Sequence, residues 1–156
     1  MEITPITFDH PDAVKLSDEV QAEYRKRFGH DDLTVLRPSY FDPPMGLFLL
    51  AYEDGAPVAS GGWRAQDTED EGYERGDAEV KRMFVTPEAR GRGLARRILG
   101  VLEEDARRAG RTRMVLETGD VLPEAVGLYR SSGYVPTTGF GFYRDHPDSR
   151  FFRKDL

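Results

Sequence analysis

Apolar residues recur every four positions at Leu16, Val20, Tyr24 and Phe28, with Asp9, His10, Pro11 and Asp12 ahead of them and Gly29 behind. Capping side chains, an acid near the positive helix end and a terminal glycine predict an amphipathic helix here. Residues 2–8, EITPITF, alternate loosely and predict a short first strand, with Pro5 compatible with a sheet edge. The clearest hairpin is the apolar run 47–52, the turn Glu53-Asp54-Gly55-Ala56-Pro57 and a second extended segment reaching about Gln66. Gly61 and Gly62 within it predict a bulge or the close approach of another segment. AEVKRMFV, 78–85, reads as a strand. Leu94, Ile98, Val101, Leu102, Ala106 and Ala109 then mark one face of a helix that Gly110 stops. RMVLET, 113–118, is the next strand, Pro123–Ser132 a short helix before Gly133, and YVPTTGF and SRFFRKDL two closing strands.

Between these elements lie two long polar connections. HDDLTVLRPSYFDPPMG, 30–46, is proline-rich and without period, and long loops of that kind usually serve a site, so it is a candidate substrate flap. DTEDEGYERGD, 67–77, is acidic and reads as an exposed connection. The resulting order is strand, helix, loop, three strands, helix, strand, helix, two strands. It predicts a mixed α/β sheet flanked by helices, in which 78–118 forms a parallel, right-handed strand-helix-strand unit. A chain of 156 residues is expected to form one domain over 1–156.

Composition narrows the function classes. Charged residues make up 32% and hydrophobic residues 38%, as in a water-exposed globular chain, and no apolar run approaches the roughly 18 residues of a membrane span. The start, MEITPITFDHPD, lacks a basic leader, so a cytoplasmic location without a membrane partner is expected. With no cysteine there is no disulfide or thiolate nucleophile, and His10, His30 and His146 lack ligand spacing, so no metal is expected. A net charge of -6 argues against nucleic acid as a partner. One stretch departs from this balance: Lys81, Arg82, Arg90, Arg92, Arg96, Arg97, Arg107, Arg108, Arg111 and Arg113 face only Glu88, Glu103, Glu104 and Asp105. A local positive field of this size suits a discrete anionic ligand. Arg107 and Arg108 sit four residues after Glu103 and Glu104 and read as solvated helix pairs.

Within that stretch, VTPEARGRGLARRILG runs from a strand through two glycines into a helix. Such a turn aims unpaired backbone N–H groups at one spot, and the helix dipole adds roughly half a positive charge there. Gly91 and Gly93 leave those amides uncovered, and Arg90 or Arg92 can add charge-assisted contacts, so the turn suits phosphate or pyrophosphate. A lone G-x-G is also an ordinary tight connection. A P-loop is excluded because no Gly-Lys-Ser/Thr follows. A dinucleotide fold requires a third glycine where Arg96 stands, although Glu117 could occupy the place of a ribose-binding acid. That nucleotide-binding α/β reading is an alternative.

Arg90-Gly91-Arg92-Gly93-Leu94-Ala95, after EVKRMFVTPEA, resembles the Q/R-x-x-G-x-G/A motif of the GNAT superfamily of acyl-CoA-dependent N-acetyltransferases, with Ala95 at the last position. PEAVGLYRSSGYVP, 123–136, is similar to the family segment in which a short helix carries a tyrosine and ends before a Gly-aromatic step. The resemblance spans nearly the whole chain. It implies a mostly antiparallel central sheet whose two parallel central strands splay apart. It implies that backbone amides from Arg90 to Ala95 hold the CoA pyrophosphate and that the main chain of Phe84 and Val85 pairs with the pantetheine arm. Tyr129 matches the tyrosine that protonates the departing thiolate. A phenol with a pKa of about 10 can do so for a thiolate of about 8.5.

A primary amine must lose a proton to attack, and the carboxylates on the strands flanking the implied cleft are Glu79 and Glu117. Glu79 matches a position used as a base in some relatives, while Glu117 could anchor the acceptor ammonium. Each also reads as a salt-bridged strand glutamate, and Tyr129 as a core aromatic. The flap, Trp63, Tyr40, Phe41, Phe140 and Tyr143 are candidate acceptor walls or core. The expected reaction is transfer from acetyl-CoA to a small-molecule or amino-acid amine by direct attack, through a tetrahedral intermediate. The other class is an acyl-CoA-binding sensor without turnover. An edge strand or closing hairpin in such a fold can support a homodimer.

Overall fold

The computed structural model describes residues 1–119 and 123–156. Their strands form one sheet in the order β1-β2-β3-β4-β5-β7-β6: β1 Glu2–Pro5, β2 Gly46–Glu53, β3 Ala56–Gln66, β4 Asp77–Val85, β5 Arg113–Gly119, β6 Val135–Pro136 and β7 Ser149–Asp155. All neighbours pair antiparallel except β4 and β5, which run parallel because α2, Leu94–Arg108, crosses between them. α1, Pro11–Phe28, and α3, Pro123–Ser131, complete the helices of the described residues. The element order and the parallel unit are as expected. The first strand stops at Pro5, and the first closing strand shrinks to Val135–Pro136, after which residues 137–148 run irregularly to β7.

α1 begins where His10, in extended backbone, accepts the Asp12 N–H at 3.0 Å on Nδ1. It ends where Gly29, at φ 81°, returns its N–H to the Arg25 carbonyl. Ala13, Leu16 and Val20 bury against Phe48, Leu50 and Phe84 on one face of the sheet. The opposite face receives α2 through Leu94, Ile98, Leu99, Leu102 and Ala106, packed on Leu49, Trp63, Val80, Met114 and Leu116. Leu99 replaces the expected Val101, which lies at the edge of the stripe and is exposed. A third cluster, Tyr73, Val115, Phe140 and Phe151, sits beside β5 and β7. Trp63, Phe41 and Phe140 are therefore core side chains rather than acceptor walls: each is almost fully buried, and Trp63 donates its Nε1–H to Asp105 at 2.9 Å.

The glycine pair in β3 has both expected roles. The β3–β4 register jumps from Ser60↔Phe84 to Gly62↔Lys81, so Arg82 and Met83 together oppose Gly61 and β4 bulges. A side chain at Gly61 would run into Met83 and Ile98, and one at Gly62 into Phe48 and the Leu47 carbonyl. Arg82 takes φ 59° at the bulge, rare for a residue with a long side chain.

Candidate active site

Parallel pairing between β4 and β5 holds only at Asp77↔Arg113, Ala78↔Met114 and Glu79↔Val115. Beyond it both strands continue, β4 to Val85 and β5 to Gly119, but separately, and β5 stays bound along its whole length to β7. The wedge between them opens a cleft of about 770 Å³, lined from β4, β5, α1, the start of α2, α3 and the segment before β7. Behind the closed end, at the first pair of this short ladder, buried Asp77 takes a two-pronged contact from Arg113, with Nε and Nη2 each at 2.8 Å, pinning the two strands at the end away from the cleft. Gly119 keeps its end of the wedge wide, because a Cβ there would enter the ring of Phe28.

The glycine turn stands at the open end. Gly91 and Gly93 have φ of 81° and 75°, a conformation that suits glycine, while an added Cβ would meet nothing within 4 Å. Glycine is thus demanded by the backbone, and the space around the turn is open. α2 starts with no side-chain cap and no acid in its first turn, and its first backbone bond runs from the Arg97 N–H to the Gly93 carbonyl. The first N–H groups of α2 are thus left without a side-chain partner beside the cleft, a chemistry that suits an anion. Arg90, Gly91, Gly93, Leu94 and Ala95 line the cleft, whereas Arg92 lies outside the lining, paired with Glu53. Arg90 bridges the mouth: its Nε donates to the Val85 carbonyl at 3.0 Å and its Nη2 to Glu23 of α1 at 2.7 Å. Phe84 and Val85 also line the cleft, at the end of β4 that β5 has left unpaired. Arg96 is a lining residue as well, and it binds Ser131 and Ser132, fastening the turn to the end of α3.

Tyr129 enters from α3 and Glu117 from β5, and both line the cleft. Burial raises the Tyr129 phenol well above its ordinary value, and the nearby Glu117 charge adds to this, so Tyr129 stays protonated through the neutral range. Glu117 is also raised by burial, against the pull of Lys81 and a hydrogen bond from Ser149. The cleft thus holds one carboxyl that keeps its proton to a higher pH than usual and one phenol that stays protonated. Tyr24 of α1 faces the same space, its phenol raised first by burial.

The two candidate carboxylates part company here. Glu79 is not a lining residue: it is buried, and its Oε1 accepts Arg64 Nε at 2.9 Å, Gln66 Nε2 at 3.1 Å and the Tyr73 hydroxyl at 3.1 Å. That oxygen is committed to three donors. Along the cleft wall from Glu117 stand Lys81 and Arg82, both contacting Asp32. Burial alone would push Asp32 up, but Lys81, the Thr34 N–H and Arg82 outweigh it and hold the carboxyl below its ordinary value. Tyr143, the one expected wall residue among the five that lines the cleft, accepts the Leu33 N–H at 2.7 Å and so ties segment 30–37 to the segment before β7.

Residues 13–134 match the model of the acetyltransferase (GNAT) family. The chain belongs to this family. An IAA acetyltransferase of Azospirillum brasilense is 43% identical over 109 residues, covering 70% of this chain and 67% of that protein. A Klebsiella pneumoniae structure described as an acyl-CoA N-acyltransferase superposes with a TM-score of 0.81 at 27% identity, covering 99% of this chain and 97% of that one. A GNAT acetyltransferase of Elizabethkingia anophelis, solved with acetyl-CoA bound, has the same fold, with a TM-score of 0.69 at 17% identity over 99% of this chain and 97% of that one.

This GNAT protein is therefore an acyltransferase, and its glycine turn belongs to that fold rather than to a dinucleotide-binding one. Among the described residues, no helix is long and apolar enough to cross a membrane, and no His, Asp or Glu group is arranged to hold a metal ion. Tyr24, Asp32, Lys81 and Arg82 are among the cleft residues not singled out from sequence as site residues. Tyr24 was visible only as a member of the α1 stripe and Asp32 only as part of the flap. Lys81 and Arg82 do carry a signal, two consecutive cations inside an apolar strand.

Proposed function

We propose that the protein transfers the acetyl group of acetyl-CoA to a primary amine of a small molecule or amino acid, by direct attack within the β4–β5 wedge. The observation that carries this reading is that Glu117 and Tyr129 line one cleft leading to the uncapped start of α2. The backbone amides from Arg90 to Ala95 hold the pyrophosphate, with Arg90 at the rim and Arg92 contributing its main chain only. The free edge of β4 at Phe84 and Val85 receives the pantetheine arm; because Arg90 already occupies the Val85 carbonyl, that side chain yields when the arm pairs there. The amine nitrogen forms its bond to the thioester carbonyl carbon, the C–S bond breaks, and the acetyl group remains on nitrogen. Glu117, directly or through a water, takes the proton that leaves nitrogen, and Tyr129 supplies the proton taken up by sulfur. Glu79, with three donors on one oxygen, supports the wall rather than the proton transfer.

Release of free CoA from acetyl-CoA, followed across a panel of primary amines, tests the reading. Turnover that requires an amine and declines in Tyr129→Phe supports it. Acetyl-CoA binding without turnover of any amine would leave a donor-binding protein and overturn it.

A further inference from the structure

We propose that the acceptor amine also bears a carboxylate, which Arg82 grips with help from Lys81 on the cleft wall; this rests on the acetyl-transfer reading above. Lys81 and Arg82 are consecutive residues of β4, Arg82 in the bulge and Lys81 just before it, their side chains only 9% and 7% exposed. Both contact a single oxygen, Asp32 Oδ2, at 3.3 and 3.8 Å. Those are long contacts: the Arg64–Glu79 pair, on the same strand pair, closes to 2.9 Å. The other Asp32 oxygen, Oδ1, accepts the Thr34 N–H at 3.0 Å. Two cations thus share one oxygen of a single carboxylate from segment 30–37, and Glu117 across the wedge is the other acid that senses Lys81.

Arg82 has donors still to be met. Its Nε and Nη1 are buried and have no hydrogen-bond partner among the described residues. Buried donors in proteins nearly always find an acceptor, so an unmet guanidinium in the wall of a substrate cleft points to an acceptor that arrives with the ligand. The guanidinium fork matches a carboxylate through two parallel bonds, which an alcohol or a carbonyl cannot reproduce. Both nitrogens are shielded from solvent, so the carboxylate engages them as the guanidinium rotates away from its 3.8 Å contact with Asp32. The backbone that carries it is held, with φ 59° at the bulge and its carbonyl bonded by Ser60 Oγ at 2.9 Å. Glu117 lies on the adjoining strand, across the wedge, near enough to Lys81 to be influenced by its charge. An acceptor carrying both groups, an amino acid or an ω-amino acid, sets its nitrogen by Glu117 and its carboxylate by Arg82. Neutral amines fill only half of this arrangement.

The test uses matched sets of each amino acid, its carboxamide and its decarboxylated amine, assayed by CoA release. The unaltered enzyme is expected to favour the carboxylate member by about tenfold or more in kcat/KM, chiefly through KM. Arg82→Gln should bring that ratio close to one while leaving acetyl-CoA affinity, measured by calorimetry, unchanged. Should Arg82→Gln fail to fold, Arg82→Asn, which tolerates left-handed backbone, takes its place. Equal turnover of amide and acid by the unaltered enzyme overturns the proposal. If no amine is acetylated, calorimetry of the same compounds with the enzyme–CoA complex decides. Binding of the amino acids alone, lost in Arg82→Gln, sustains the carboxylate site while the transfer reading fails, and absence of binding overturns both.

Discussion

Glu117 and Tyr129 reach one cleft from opposite faces of the sheet. Tyr129 belongs to the α2-side core with Met114 and Leu116, whereas Glu117, one residue further along β5, turns to the other face towards Lys81 and Ser149. Two faces can meet only where β4 and β5 have parted, because an intact ladder would stand between them. In the proposed reaction the opening of the strand pair brings the two groups together as well as making room for a ligand.

Tyr129→Phe keeps the ring that packs against Tyr134 at 5.8 Å between centroids and removes the hydroxyl. We expect kcat to fall by about 10²–10⁴-fold with little change in the acetyl-CoA dissociation constant. Steady-state kinetics beside calorimetry checks this, and an unchanged kcat would remove the phenol from the reaction.

Glu117 is raised above its ordinary 4.5 by burial, so the folded protein holds this proton more tightly than the unfolded chain does. Stability from this group is therefore greatest below the unfolded value and is lost as pH rises through the folded one. Glu117→Gln should raise the thermal midpoint at pH 8 and have little effect near pH 4, while lowering kcat. The acid limb of kcat/KM in the unaltered enzyme should lie above 4.5. Thermal melts across pH, with an unaltered midpoint difference at both ends, would show that Glu117 bears no burial cost.

Glu79 separates support from catalysis. Glu79→Ala leaves the buried Arg64, 11% exposed, without its carboxylate, a loss of about 3–5 kcal/mol. Denaturant unfolding should show that loss. Glu79→Gln, which keeps an acceptor oxygen for the Arg64 N–H, should retain most of the turnover that Glu117→Gln loses, and a larger kinetic loss at Glu79 would reverse the two roles.

Gly91→Val and Gly93→Val should each lose acetyl-CoA affinity by at least about tenfold, since a β-branched residue strains a left-handed position by roughly 1–2 kcal/mol and stands over the amides of the turn. Because nothing lies within 4 Å of an added Cβ, the folded chain should survive. Calorimetry showing full affinity in a folded variant would move the phosphate site elsewhere.

Much of this was legible in the chain itself. The four-residue period of α1, the crossover helix between two apolar strands and the glycine turn are local patterns, and local sterics and periodicity decide them wherever the rest of the chain lies. The family motif pointed to Tyr129 and residues 90–95, of which all but Arg92 line the cleft. Sequence could not separate Glu79 from Glu117, because both are strand glutamates at the sides of a cleft and their surroundings come from distant segments. Arg64, Gln66 and Tyr73 converge on Glu79, while Lys81 and Ser149 flank Glu117. Nor could it show that Trp63, Phe41 and Phe140 are core, since an aromatic pattern is the same whether a helix or a ligand covers it. Asp32 meets Arg82 across a sequence gap that no periodicity spans, and only the tertiary structure leaves two nitrogens of that guanidinium buried and unmet. Backbone preference is written residue by residue; desolvation and charge pairing belong to whatever the fold brings together.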